Sequence, residues 1–280
     1  MSEGIRRICA VAGYQVREKL CSRKIFITLL VLAAFIYLQE EGIRLFCRDA
    51  SVSVTPCAFV FLSSDWIAQM VLSAYFVWIM SSFSGRNAND LFMIARAGTK
   101  IWKAGTILSI LCGAFLYTCL LILISGAVLF PYIDFVDSWG QGWPTLALTT
   151  AKTVYAVATD IPAVIMHLHT PLEALLMAGL LQFLLLSWFG LVQYLLNDLC
   201  GNAAGSYVCV AFILADVFLA NTSLEKLFRF SPVTLSELGN YSAASLKYGY
   251  DFAYALRFYL IGIVAFIIAE LLIGRKKDLA

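Results

Sequence analysis

Six apolar runs, near residues 24–40, 65–84, 104–130, 171–197, 205–221 and 252–274, punctuate this chain. Each approaches the ~20 apolar residues that one helix needs to cross a hydrocarbon core. Within a bilayer every backbone N–H and C=O must find its partner inside the protein, so such runs fold as helices. The composition agrees. Hydrophobic residues make up 61% of 280 and charged residues 14%, with a mean hydropathy of +0.83; a soluble domain carries about 25% charged residues. No stretch remains for a separate soluble domain of ordinary size. The expected fold is therefore all-α, a polytopic membrane protein with six transmembrane helices forming a single domain over residues 1–280.

The first run, "IFITLLVLAAFIYL", follows Arg23 and Lys24 as the apolar core of a signal peptide would. It continues into "QEEGIRLFCRD" with no small-residue cleavage site, so it reads as a retained anchor. Orientation follows from the basic residues, which favour the cytoplasmic side. With the N-terminus inside, most of the 20 basic residues become cytoplasmic: Arg6, Arg7, Arg17, Lys19, Arg23, Lys24, Arg86, Arg96, Lys100, Lys103 and the cluster at 275–277. Both termini are then expected in the cytoplasm, with residues 42–64, 131–170 and 222–251 outside. No basic stripe is interleaved with exposed aromatics, so nucleic acid is not an expected partner.

Two segments on the cytoplasmic side are themselves helical in pattern. Over residues 4–20, Ile5, Ile8, Cys9, Ala12, Val16 and Leu20 share a stripe opposite Arg6, Arg7, Arg17 and Glu18, as in a helix lying in the membrane interface. Between the second and third spans, "GRNANDLFMIARAGTKIWKAG" carries a second helix over about 88–98. Asn87 or Asn89 is placed to cap it, Asp90 suits its positive first turn, and Gly98 stops it, with Thr99 as the next cap. Leu91, Phe92, Ile94 and Ala95 are more apolar than a solvated turn requires. One reading packs this helix on lipid headgroups; the other docks it into a groove on a cytoplasmic partner.

This layout resembles that of the type-two ATP-binding-cassette exporter permeases. The likeness runs through the basic N-terminal helix, the "R-A-G-x-x-x-W-K-x-G" stretch from Arg96 to Gly105, and the basic tail "LIGRKKDLA". Among them it is most similar to small Gram-positive permeases of peptide and bacteriocin export or immunity. The resemblance implies an elbow helix at 4–20, a coupling helix carrying Asp90, Leu91, Phe92, Arg96 and Gly98, short external helices, and a location in the bacterial plasma membrane. It also implies a cytoplasmic ATPase subunit, a second permease copy or sister chain, contact with membrane lipid, and a peptide cargo. No G-x-x-x-x-G-K-[ST] phosphate loop occurs. ATP and Mg²⁺ are therefore expected on the partner, with no cofactor on this chain. Lipid-like or drug-like cargo, and a non-transporting immunity or sensor role, are the alternatives.

Polar residues within spans mark the expected path. Asp216 either lines a route for cationic cargo or caps toward the outer interface; a charge near the bilayer centre costs about 2.5–3.5 kcal/mol on insertion scales. Gln182 and Gln193 share a face of the fourth span and suit bonding across helices or cargo contact, and Tyr75 and Trp78 suit packing or the path. Glu270 is placed to pair with Arg275. Outside, Thr170-Pro171-Glu173 and Thr222-Glu225 spell capping boxes, Asp160-Pro162 and Ser231-Pro232 start short helices, Gly239 ends one, and Asp251 caps the last span. Cys47 and Cys57 share the first outer loop and are candidates for a disulfide, against the plainer reading of two free thiols. An enzymatic reading, an intramembrane protease, rests on Glu40, Glu41 and Arg44. Their spacing is one residue short of that motif, and His167 and His169 lie outside the spans.

Overall fold

The computed structural model describes residues 3–20, 22–84, 88–201, 203–222, 224–241 and 249–277. The candidate cap Asn87 lies outside them, as do the side chains of Asn89 and Arg275. The described chain is all-α, with an isolated bridge between Val54 and Ile133 as its one β-type pairing.

The helices are α1 (Glu3–Leu20), α2 (Arg23–Ala50), α3 (Ala58–Leu62), α4 (Trp66–Ser84), α5 (Ala88–Ala97), α6 (Thr99–Val128), α7 (Gly142–Leu148), α8 (Ala151–Val154), α9 (Ala163–Leu168), α10 (Pro171–Cys200), α11 (Ala204–Ala220) and α12 (Phe252–Lys277). Three 3-10 turns, Glu225–Phe230, Thr234–Ser236 and Leu238–Asn240, join α11 to α12. Four helices are long and apolar enough to cross a membrane: α2, α6, α10 and α12 over Phe252–Ile273. Two shorter apolar helices, Trp66–Ser81 and Ala204–Ala220, accompany them. Large apolar side chains such as Phe26, Leu30, Leu123, Leu176 and Ile261 are exposed around the bundle.

Local chemistry explains several ends. Thr170 caps α10 and Glu173 reaches back to the Thr170 N–H, completing the capping box. Asp251 accepts from the Tyr254 N–H at the start of α12, and Ser231 from the Thr234 N–H. Some other expected ends differ. Thr222 donates back to the Leu219 carbonyl, and a 3-10 turn follows from Leu224. Pro162 takes the cap position of α9, while Asp160 binds Lys152 instead. Gly239 sits inside the last 3-10 turn, which ends at Tyr241. Gly98, with φ of 83°, ends α5 as expected, and because it is also the cap of α6, Thr99 falls inside α6.

α10 is the hub, packing against α4, α6, α11 and α12. Its Trp188 meets Phe212 of α11 edge-on and lies against Phe258 and Phe266 of α12. Small residues set the closest approaches, as membrane helices favour. A Cβ on Gly262 would lie 2.4 Å from Trp188, and one on Gly190 2.5 Å from Ile110. α1 lies along α6 where Gly105 faces Val11. Its buried residues are Val11, Ala12, Gln15 and Lys19. The face that packs is thus turned from the expected apolar stripe by roughly a fifth of a turn. Gln15 is drawn in because its amide donates to Thr106 and accepts from Ser109 on α6. Ile5 and Cys9, at the other edge of the stripe, stay exposed.

At Gly205 a Cβ would lie 2.3 Å from the Gln193 carbonyl oxygen, a backbone atom that cannot swing aside. Gly205→Ala should push α11 off α10 and cost about 1–3 kcal/mol of stability. Gly126→Ala, where nothing lies within 4 Å, should leave stability nearly unchanged. Thermal unfolding of the detergent-purified chain, followed by tryptophan fluorescence, checks the pair.

Candidate functional site

The bundle has two chemically distinct ends. One gathers α1, α5, the start of α6 and the ends of α10 and α12. The other gathers α3, α7–α9, the 3-10 turns and the end of α11.

At the first end, α5 presents Leu91 (59% exposed), Phe92 (72%) and Arg96 outward. Asp90 turns the other way. It is fully buried, with a carboxylate oxygen 3.9 Å from the Lys19 ammonium of α1. Asp90 therefore anchors the helix instead of presenting a surface. Burial lowers the Lys19 pKa, and the charges of Asp90 and Glu18 oppose that shift. The Gly98 N–H closes α5 on the Ile94 carbonyl, and the Gly98 carbonyl accepts from Trp102 within α6. A single residue thus couples the two helices.

One turn further into α6, Lys103 binds Asp198 of α10 at 2.8 Å and Glu270 of α12 at 2.6 Å. All three side chains are buried, at 5%, 7% and 1% exposure. From the sequence, Lys103 was merely one of the basic residues that set orientation, and Glu270 was assigned to Arg275. Neither signal reveals a buried triad, because its members come from three helices far apart in the chain. Removing one partner of such a cluster strands the others. Lys103→Met should lower stability by about 3 kcal/mol or more, and Glu270→Gln, which keeps a bond to Lys103, by less. Thermal midpoints in detergent distinguish them.

The second end holds a cavity of about 330 Å³ whose wall includes Asp65, Asp160, Asp216 and Glu237. Asp65 is fully used, one oxygen capping Ala68 and the other accepting from the Asp160 N–H. Asp160 is exposed at the rim and paired with Lys152 at 2.6 Å. Asp216 and Glu237 are buried, at 2% and 5% exposure. Ser231 and Thr234 donate to Asp216 Oδ1, and Asn240 donates to Glu237 Oε2. Asp216 Oδ2 and Glu237 Oε1 have no partner among the described residues. Burial, reinforced by the Asp216 charge, raises the Glu237 pKa well above its ordinary value. Glu237 carries no sequence signal beyond an acid among apolar turn residues, "SPVTLSELGN".

The other expected positions are dispersed. Gln193 donates to the Val77 carbonyl of α4 and to Ser206 of α11, so it ties helices. Gln182 is buried with neither amide atom partnered among the described residues. Tyr75 lines an open apolar groove of about 610 Å³ between α4 and α11, with Met70, Val71, Ala74 and Ile213. Trp78 lines it too, with the Lys24 ammonium 4.2 Å from its ring centre. Cys47 and Cys57 are both buried and free, so the disulfide does not form. Cys47 ends up within α2, which runs on to Ala50, while Cys57 packs near the Pro171 carbonyl. Glu40 accepts from Ser125 and Arg44 lies over Tyr37; no group of three metal-binding side chains occurs among the described residues. No family model, curated protein or solved structure matches the chain.

Proposed function

We propose that this chain is the permease subunit of an ATP-binding-cassette exporter, moving amphipathic peptides out of a bacterial cell. ATP and Mg²⁺ act on a separate cytoplasmic ATPase, and a second permease copy or a sister chain completes the path. On this reading all six apolar helices span the plasma membrane, α1 is the elbow in the inner interface, and both termini are cytoplasmic. The short helices between α6 and α10 and the 3-10 turns after α11 face outward.

The observation that carries the proposal is α5. It is a ten-residue helix. Alone in water a helix of that length is marginal. Here it is held from beneath by Asp90 against Lys19, and from its end by Gly98 and α6. Its outward face bears two large apolar residues and a guanidinium. That is the form of a helix made to enter a groove on a partner. A push on α5 passes through Gly98 into α6, and through Lys103 into α10 and α12. Alternation between inward-closed and outward-open packings would follow from repacking these helices. The open apolar groove between α4 and α11 favours a second reading of the cargo, as a lipid-like or drug-like molecule entering from the side.

Phe92→Ala should weaken binding of the proposed ATPase by about 2 kcal/mol, roughly thirtyfold, while the permease still inserts. Arg96→Ala should cost less, because a rim ion pair is screened by solvent. Copurification and cargo-stimulated ATP hydrolysis in nanodiscs measure both. Intact binding and stimulation in both variants would sink the coupling role of α5.

The orientation has its own test. A cysteine replacing Ser138, which is exposed in the segment between α6 and α7, should react with a membrane-impermeant maleimide in whole cells. Reaction confined to broken cells reverses the topology.

A further inference from the structure

We propose that the cavity at the α3 and α7–α9 end is a recognition site for a primary ammonium group on an organic ligand, with Asp216 and Glu237 as its carboxylate partners. The inference does not depend on the ATPase-driven reading, because it concerns binding by this chain alone.

Two buried carboxylates each keep one oxygen unpartnered among the described residues, and both line the same space. Burial favours the neutral acid, as the raised Glu237 pKa reflects, and a donor that carries positive charge is what would restore both carboxylates. Among the described residues no basic side chain belongs to the cavity wall, and the Lys152 ammonium at the rim is taken by Asp160.

The free oxygens are also held in place. Ser231 and Thr234 fix Asp216, and Asn240 fixes Glu237. The turns bearing these residues are themselves braced. Gln69 of α4 donates to Ser236, the Gly239 N–H donates to Ser64, and the Tyr241 and Tyr259 hydroxyls donate to the carbonyls of Leu235 and Pro232. A site prepared in this way loses little freedom when a ligand arrives.

The chemistry selects an ammonium over a bare metal ion. Metal sites gather three or more ligands around one point, and the described residues offer no such group. A primary ammonium needs acceptors only and brings three donors, enough for both free oxygens. The volume of about 330 Å³ far exceeds an ion and sits at the lower end of organic ligand pockets. Trp66, Phe228, Pro162 and Ala220 form an apolar wall for the carbon skeleton, and the two aromatic rings suit a neighbouring cation. A lysine side chain of a peptide and a small free amine both present this group.

Trp66 provides the readout. The purified full chain in detergent is titrated with n-butylammonium chloride at constant ionic strength, and tryptophan fluorescence is followed. A saturable change is expected. Tetramethylammonium, which has the charge but no N–H donors, should bind at least tenfold more weakly. Asp216→Asn and Glu237→Gln should each weaken n-butylammonium at least tenfold, and Asp137→Asn, an exposed acid at the same end, should not. Elution as a single size-exclusion peak certifies each variant, and either of the two buried-acid variants suffices. Displacement by N-acetyl-lysine methylamide assigns the group to a peptide lysine; n-butylammonium binding without such displacement assigns it to a small amine. No saturable change in the wild type, equal binding of tetramethylammonium, or wild-type binding by a folded Glu237→Gln chain would overturn the site.

Discussion

The ammonium of Lys103 fixes one end of the bundle. It bonds a carboxylate on α10 and another on α12 from its own place on α6, in surroundings that exclude water. Low dielectric makes each of these attractions strong and makes their loss expensive. Three of the four longest apolar helices therefore meet at a point that cannot loosen gradually. It either holds or opens as a unit. The remaining packing at this end is built around that knot. α1 lies on α6 through Gln15, and α5 continues into α6 through Gly98.

The two ends solve the problem of buried charge in opposite ways. Near α5, each buried acid named here has a basic neighbour: Asp90 has Lys19, and Asp198 and Glu270 share Lys103. At the far end, Asp216 and Glu237 lean on hydroxyls and an amide instead. Neutral donors steady a carboxyl group without supplying an opposing charge. One end thus reads as closed by internal pairing, and the other as prepared for a cation from outside the chain.

Much of the architecture was legible in the residues. Apolar run length located the long helices, because a bilayer permits few other solutions. Capping chemistry located the start of α10 to the residue, since Thr170, Pro171 and Glu173 act within one turn. The apolar run near 24–40 stops ten residues short of the end of α2. Glu40 and Glu41 look like the edge of a span, yet Ser125 takes up Glu40 and the helix continues to Ala50. The same limit hid the triad and the acidic cavity. Both are assembled from elements far apart in sequence, and pairing across such distances leaves no local period. The α1 face was read one stripe off for a related reason: Gln15 and Lys19 look solvated until Thr106, Ser109 and Asp90 are in place beside them.

The bond from Ser125 to Glu40, 2.5 Å long and spanning 85 residues, also bears on how the chain is made. The ribosome delivers α2 well before α6. During that interval the Glu40 carboxyl, where the apolar run of α2 gives way to polar residues, has its hydroxyl partner not yet synthesised. A carboxyl without its partner resists settling deep in lipid. Until α6 emerges, α2 is therefore best accommodated with Glu40 near headgroups or beside the insertion machinery. Docking of α2 onto α6 then becomes a later step of biogenesis, completed only when α6 has entered the membrane.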